Sequence, residues 1–452
     1  MRRAPLPYYN NKVYGVANTQ MTPENSAELG AVLGTIVGEG ALVTAARDYY
    51  PPSRMLKRAF TSGLMSTGVS VIDFHSATLP EVAFAVKRFG AKAGVHFSVT
   101  PFNDNSIQIR ILDSAGIEIT SERLEDILSM FESHHAVRAI PTRIGWVTYA
   151  EYIHEIYTSS ATGYVDTSPI SAKEPLVLVD LNFGPASEPL PNLLSSIGAR
   201  FIALNSSRPP PNLVPRQLPS LKALSMLGDL CKTTGATFGV ALSSDASHAY
   251  FVDDKGRYID PDRFLAIVAL MVPQGSRLAI TDSASRIVDA IAEKNKLSLI
   301  RVKGIAGDIS RGLRRLRVNL GATDSGEVIF PQFSPSPDGM LLIAKLLEML
   351  ASEEVSLSSI VDAVPEPSLY TLELEAEPLI AQKVLDSLFL EHNEIAVAPG
   401  AIKYRLGDTW VKVSQDLNSS KIYVSVEAVN KVAIEIAKKE YERIGELIES
   451  LK

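Results

Sequence analysis

The sequence predicts an α/β protein: three related α/β units with mixed, mainly parallel sheets, followed by a C-terminal α+β unit. Three observations carry this. Short apolar runs alternate with amphipathic helical stretches as far as Glu366. The same series, ending in a polar loop and a further strand, occurs three times. After about Pro367 the pattern changes to closely spaced strands with two long helices. The units span residues 1–155, 156–262, 263–366 and 367–452.

In the first unit ALVTAARD reads as a strand and PSRMLKRAFTSGLMSTG as a helix. VSVIDF, LPEVAFAVKRFG and AGVHFSV continue the alternation, and SIQIRIL follows as a strand beyond the loop TPFNDN. The second unit repeats this with LVLVDL, PNLLSSIGA, FIALN, LKALSMLGDLCKTTGA and TFGVALS, then the loop SSDASH and the strand AYFVDDKGRYI. The third runs RLAITD, SRIVDAIAEKNK, LSLIRVK and ISRGLRRLR to the loop LGATDSG and the strand EVIFPQF. Strand–helix alternation of this kind gives βαβ crossovers and parallel pairing. The last unit holds LYTLELEA, EIAVAP, AIKYRLG, WVKVSQ and KIYVSVEA, with helices near 377–392 and 429–451. The polar loops should converge on a cleft where the units meet.

At 452 residues the chain is too long for one core. An apolar fraction of 46% with 21% charge is that of an ordinary globular protein. A net charge of −7 disfavours a nucleic-acid partner. The basic GLRRLR at 312–317 reads as a solvated helix face. Cys231 is the only cysteine, which rules out an internal disulfide and fits a reducing cytoplasm. The longest apolar run, FLAIVALMV at 264–272, is short of a membrane span, and MRRAPLPYYNNK has no signal-peptide core. The expectation is a soluble cytoplasmic protein with no membrane partner. His96, His134, His135 and His248 show no metal-ligand spacing.

Several stretches occur in a fixed order: Arg47-Asp48 after the first strand, TSGLMSTGVSVIDFHSATLPEVAFAVKRFGAKAGV at 61–95, DDKGRYIDPD at 253–262, PDGM at 337–340 and YVSVEA at 423–428. On these the chain resembles the α-D-phosphohexomutase family (phosphomannomutases, phosphoglucomutases and phosphoglucosamine mutases) over essentially its whole length. The resemblance implies a reaction in which a phosphoserine gives its phosphoryl group to a hexose phosphate and takes back the other one. Such transfer is mostly positioning and charge neutralisation, shared among four loops.

Each loop departs from the family pattern. For the serine loop TASHNP, Ser98 takes the threonine position and Thr100 the serine position, with Pro101-Phe102 for His-Asn and Gln108 for a lysine. These two hydroxyls are the nucleophile candidates, by position only. For the Mg²⁺ loop DGDADR the chain has Ser243, Ser244, Asp245, Ala246, Ser247 and His248, so one aspartate, Asp245, stands where three are used. For the sugar loop GEXSGH, Asp324, Ser325 and Gly326 are the candidates, with Thr323 for the glutamate and Glu327 for the histidine. For the phosphate loop RPSGTEP, Ser414, Asn418 and Ser419 take the positions, the arginine fork is gone and Asp416 would repel a dianion. Lys412 and Lys421 flank that loop and read as surface lysines.

With all four loops altered on an intact scaffold, the expectation is a noncatalytic or strongly altered phosphohexomutase homologue acting as a binding or regulatory subunit. No cofactor is then expected, and partners would be a sugar or sugar phosphate and an active homologue or another protein. The alternatives are a working mutase using Thr100 or Ser98 with Mg²⁺, and a binder of an uncharged sugar or polyol.

Overall fold

Apolar runs covered on both faces form the parallel centre of the first sheet. The computed structural model describes residues 4–101, 105–210, 213, 216–316, 318–392, 395–416, 420–427 and 431–451. The elements of the first unit are β1 (Tyr8–Tyr9), β2 (Lys12–Val16), α1 (Pro23–Val37), β3 (Leu42–Arg47), α2 (Pro51–Met65), β4 (Ser70–Ser76), α3 (Leu79–Phe89), β5 (Ala93–Val99), β6 (Ser106–Leu112), α4 (Ser121–Glu132) and β7 (Val147–Tyr149). Their sheet order is β1-β2-β6-β5-β3-β4-β7. β5, β3, β4 and β7 run parallel, and β6 pairs antiparallel to β5. α3 begins at a capping box made by Thr78 and Glu81 and stops at Gly90, whose φ of 67° is left-handed.

The second unit comprises α5 (Ile153–Thr162), α6 (Thr167–Lys173), β8 (Leu176–Asp180), α7 (Pro189–Ser196), β9 (Arg200–Leu204), α8 (Leu221–Thr234), β10 (Phe238–Leu242) and β11 (Ala249–Val252). The third comprises α9 (Pro261–Leu270), β12 (Arg277–Thr281), α10 (Ile287–Lys294), β13 (Ser298–Val302), α11 (Ala306–Leu316), β14 (Leu320–Ala322), β15 (Val328–Ile329), α12 (Gly339–Glu353) and α13 (Leu357–Ala363). The sheets β11-β10-β8-β9 and β15-β14-β12-β13 have one topology: three parallel strands and an antiparallel edge. β6-β5-β3-β4 repeats it. The repeat read from the sequence is therefore a repeat of sheet topology. In each case the polar loop is the turn into the antiparallel strand, which puts three loops in equivalent places.

The chain closes with β16 (Leu369–Glu375), α14 (Pro378–Glu391), β17 (Ile395–Ala398), β18 (Ala401–Leu406), β19 (Thr409–Gln415), β20 (Lys421–Glu427) and α15 (Lys431–Leu451). This sheet, β16-β20-β19-β18-β17, is antiparallel throughout. α14 and α15 pack on it around Tyr404, Val424 and Ile444. The architecture is thus the predicted α/β and α+β combination.

The apolar run FLAIVALMV supplies most of α9, buried in a core that the second and third sheets share. Among the described residues no helix is long and apolar enough to cross a membrane. α12, apolar almost all round, packs on α6, α7 and β11 although it follows the third sheet in sequence. Asp338 caps it, accepting from Leu341 N at 2.9 Å and from the Tyr157 hydroxyl of α5 at 2.8–2.9 Å. Burial pushes the Asp338 carboxyl up to about 6 despite those donors. The folded protein thus keeps this proton to higher pH than the unfolded chain does. Between about pH 4 and pH 6 the unfolded state binds fewer protons, so this site's contribution falls as pH rises through that window. In Asp338→Asn, whose amide fits the same partners, urea unfolding across this range should show a flatter pH dependence than the wild type.

Candidate functional site

A strand interior that carries an arginine must pair it, because an isolated buried charge is prohibitively costly. β6 alternates Ile107, Ile109 and Ile111 into the apolar core with Gln108 and Arg110 on the other face. Arg110 is 1% exposed. Its Nη1 donates to Asp245 Oδ2 at 3.0 Å and Ser247 Oγ at 3.2 Å, and its Nη2 to Glu118 Oε2 at 3.1 Å. Glu327 Oε1 lies 3.6 Å from Nη2. One guanidinium from the first unit therefore joins the metal-position loop of the second and the sugar-position loop of the third. Burial alone would lower its pKa, and the three carboxylates more than reverse that.

Asp245 is fully buried and its acceptor capacity is taken up. Oδ1 accepts from Ser243 Oγ and Ser247 Oγ, both at 2.7 Å, and from Ser247 N at 3.1 Å. Oδ2 accepts from Arg110 and from Gln217 Nε2 at 3.1 Å. Burial would raise the carboxyl, but the Arg110 guanidinium beside it holds it well below the usual carboxylate range. The loop's shape depends on Gly184, where a Cβ would lie 2.4 Å from Ser244 O. His248 Nδ1 donates to Ser247 Oγ at 2.8 Å, since the Ser247 proton already goes to Asp245, and burial lowers the pKa of His248.

The Mg²⁺ that the resemblance implies does not fit these residues. A hard cation needs several oxygen ligands with lone pairs turned toward it. Here the only carboxylate of the loop is saturated by five donors, its two flanking serines spend their protons on it, and a guanidinium stands 3.0 Å away. Among the described residues no group of three or more His, Cys, Asp or Glu is placed to hold a metal ion.

The nucleophile candidates are also withdrawn. Ser98 is fully buried, and its Oγ accepts from Gln108 Nε2 at 3.0 Å. Gln108 in turn accepts from the Tyr9 hydroxyl. Thr100 is 1% exposed, and its Oγ1 is buried without a hydrogen-bond partner among the described residues. Its backbone carbonyl accepts from Gln217 N at 3.2 Å, docking the loop on the second unit. Neither side chain lines the interdomain cavity of about 660 Å³.

That cavity is lined by Asn10, Asn11, Lys12, Glu118, His248, Asp282, Lys303, Asp324, Ser325, Glu327 and Trp410, among others. Glu118 Oε1 is buried and has no hydrogen-bond partner among the described residues. Asp324 accepts from Thr281 Oγ1 at 2.8 Å, Ser283 Oγ at 2.7 Å and Lys403 Nζ at 3.0 Å. Burial opposes its ionisation, but Lys403 keeps its pKa low. Ser325 Oγ bonds Thr323 Oγ1 at 2.7 Å, and Gly326 turns the loop at φ 96°. Asp324 and Ser325 therefore line the cleft.

The fourth loop differs from its sequence reading. Ser414 lies within β19, paired with Ala401 and Tyr423, and lines neither large cavity. Asn418 and Ser419 lie outside the described residues. Lys412 is not a surface lysine: its side chain is 19% exposed and its Nζ donates to Asp260 Oδ2 at 2.5 Å. Lys421 is the outward one, pairing with Glu373 at 3.0 Å. Beside Lys412, Lys403 reaches Asp262 at 3.2 Å as well as Asp324. Glu427 of β20 accepts from Ser285 Oγ at 3.0 Å and from Arg286 N at 3.0 and 3.1 Å, at the start of α10. A carboxylate of the protein itself thus sits on a helix N-terminus where charge and free N–H groups favour an anion.

Sequence reasoning missed Arg110, Glu118, Gln217, Lys403 and Glu427. For Arg110 the signal was present, since an arginine midway along SIQIRIL needs buried anions. Gln217 and Glu427 gave none, because their partners are distant in sequence.

Three sheets of one topology and an antiparallel fourth thus surround a shared central cleft. Two family models for phosphoglucomutase/phosphomannomutase match, alpha/beta/alpha domain I over residues 9–138 and domain III over residues 260–368. A Thermococcus kodakarensis protein named phosphoglucomutase/phosphomannomutase is 31% identical over 415 residues, 89% of this chain and 90% of that protein. A Sulfurisphaera tokodaii phosphoglucosamine/phosphogalactosamine mutase is 25% identical, covering 92% of this chain and 94% of its own. Among solved structures, a phosphoglucomutase/phosphomannomutase family protein from Burkholderia thailandensis superposes with a TM-score of 0.75 at 18% identity, over 98% and 97% of the two chains. The chain belongs to the phosphoglucomutase/phosphomannomutase family.

Proposed function

We propose that this chain is a phosphohexomutase-fold protein that has given up metal-dependent phosphoryl transfer and serves as a ligand-binding or regulatory subunit. The observation that carries this is the Arg110 Nη1 contact of 3.0 Å with Asp245 Oδ2. Phosphoryl transfer needs positive charge that can follow the migrating group. Here the positive charge is covalently fixed, and it already faces three carboxylates. A threonine whose hydroxyl is buried away from the cleft cannot be approached in line by a sugar phosphate.

The cleft keeps groups that suit a polyhydroxylated ligand. Glu118 Oε1 is buried at the cleft wall without a hydrogen-bond partner among the described residues, and Glu327 shares the Arg110 guanidinium with Glu118. Both would repel a phosphate dianion, whereas an uncharged sugar or polyol would bring a hydroxyl donor for Glu118 Oε1. In a thermal-shift panel, uncharged hexoses or polyols should raise the melting temperature more than their phosphates do. The reverse order would remove this part of the reading.

A second reading is an active mutase using Thr100 or Ser98, and the names of the relatives favour it: proteins 25% and 31% identical to this chain are called mutases. A coupled assay separates the two. Purified protein with Mg²⁺, hexose 1-phosphates and the matching bisphosphate should turn over no faster than a blank. Mutase activity that co-purifies with the chain and disappears in Thr100→Val or Ser98→Ala would establish the second reading.

A further inference from the structure

The wall of the central cavity holds two groups of opposite charge that do not meet. Lys12 comes from β2 and Glu118 follows β6, and both line the cavity of about 660 Å³. Glu118 spends Oε2 on Arg110, while its buried Oε1 has no hydrogen-bond partner among the described residues. Lys12 Nζ stands 5.4 Å from the centre of the Tyr9 ring and makes no hydrogen bond or ion pair among the described residues.

Strand register brings the two groups to one place. β2 pairs antiparallel with β6, Val13 opposite Ile109 and Tyr14 opposite Gln108. One step further along the two strands Lys12 comes opposite Arg110, and opposite residues put their side chains on the same face. Lys12 therefore stands beside the guanidinium that holds Glu118. Burial lowers the Lys12 pKa, and attraction to Glu118 offsets this only in part. A partly buried ammonium without a partner lowers stability, and so does a buried carboxylate oxygen without a donor. Two cations on this wall, Arg110 and Lys12, face three carboxylates, Asp245, Glu118 and Glu327. The wall keeps one negative charge, so Lys12 is not arranged to draw in an anion.

We propose that Lys12 and Glu118 together read a free hydroxyl edge of the ligand, Lys12 Nζ donating to it and Glu118 Oε1 accepting from it. An ammonium only donates and a carboxylate only accepts, whereas a hydroxyl does both. A methyl ether in that place would leave Glu118 Oε1 unmet, and a ligand amine in its charged form would meet Lys12 as a like charge. The clamp rests on the reading that the cleft takes a polyhydroxylated ligand, and it makes Lys12 a specificity-determining residue of that site.

Titration calorimetry of the full chain with D-glucose, D-mannose, D-mannitol and inorganic phosphate tests it, together with thermal melting of the ligand-free protein. Lys12→Met should weaken binding of whichever sugar or polyol the wild type takes by about 10-fold or more, the range for a hydrogen bond to a charged group. Lys421→Met, whose lysine pairs outward with Glu373, should bind as the wild type does. Without ligand, Lys12→Met should melt above the wild type, because an unpaired cation has gone. Sugar binding that Lys12→Met leaves unchanged would overturn the clamp while the cleft reading stood. A wild type that binds none of the three polyhydroxylated probes would overturn both. Phosphate binding that Lys12→Met abolishes, or a ligand-free Lys12→Met that melts below the wild type, would overturn the clamp by making Lys12 an anion site or a structural residue.

Discussion

Replacing Arg110 with alanine should destabilise the protein by about 3–5 kcal/mol, the range for removing one partner of a buried ion pair. The cause is what stays behind. Asp245, Glu118 and Glu327 would share a site without the guanidinium that faces all three, and each is at least nine-tenths buried. Unfolding in urea should show the loss, and amide exchange should rise first in the loops at 98–101 and 243–248. Arg110→Lys should recover only part of it. A lysine is one point charge, whereas the fork places one nitrogen on Asp245 and Ser247 and the other on Glu118. The combination Arg110→Met, Asp245→Asn and Glu118→Gln should be closer to wild type than Arg110→Ala, because it removes two of the three stranded charges together with the cation. If Arg110→Ala unfolds like the wild type, the guanidinium does not carry the interdomain contact.

Substitution of Lys403 by methionine should release the last unit from the third at a cost of about 3 kcal/mol, again from a broken buried pair. Lys403 comes from β18 and inserts between Asp262 and Asp324, with 14% of its side chain exposed. Burial would lower its pKa, but the two aspartates raise it above an ordinary lysine. Without it those carboxylates face each other, and Lys412, 3.7 Å from Asp262, only partly compensates. Trp410 reports the change, since it lines both large cavities and lies 5.9 Å from the Arg405 guanidinium. Its emission should move to longer wavelength in Lys403→Met and stay put in Lys421→Met, whose lysine pairs outside the interface.

How far the sequence reaches is clear from particular residues. Alternation and turn residues found strands in all four sheets, because burial on one or both faces writes a period into the chain, but missed β1, β2 and β7 of the first sheet. The place of Asp324 and Ser325 at the cleft was legible for the same reason: a polar turn into an edge strand has a fixed place in the repeated topology. What pairing does to charges was not legible. Lys412 looks like a surface lysine in WVKVSQ, yet Asp260 and Asp262 of another unit bury it. Arg110 looks like an ordinary strand residue until Asp245, Glu118 and Glu327 are brought round it by the packing of three units. Ser414 was placed in a loop because the aligned motif is one, while its own alternation continues β19. Contacts between units depend on distances that no local pattern encodes.

The central claim is that a resident guanidinium neutralises Asp245 in place of a divalent cation. Titrating the purified protein with Mn²⁺, followed by electron paramagnetic resonance of the free ion, tests it most directly. The wild type should remove no stoichiometric Mn²⁺ from solution up to millimolar concentration, with or without a hexose bisphosphate. One equivalent bound by the wild type and lost in Asp245→Asn would contradict the claim.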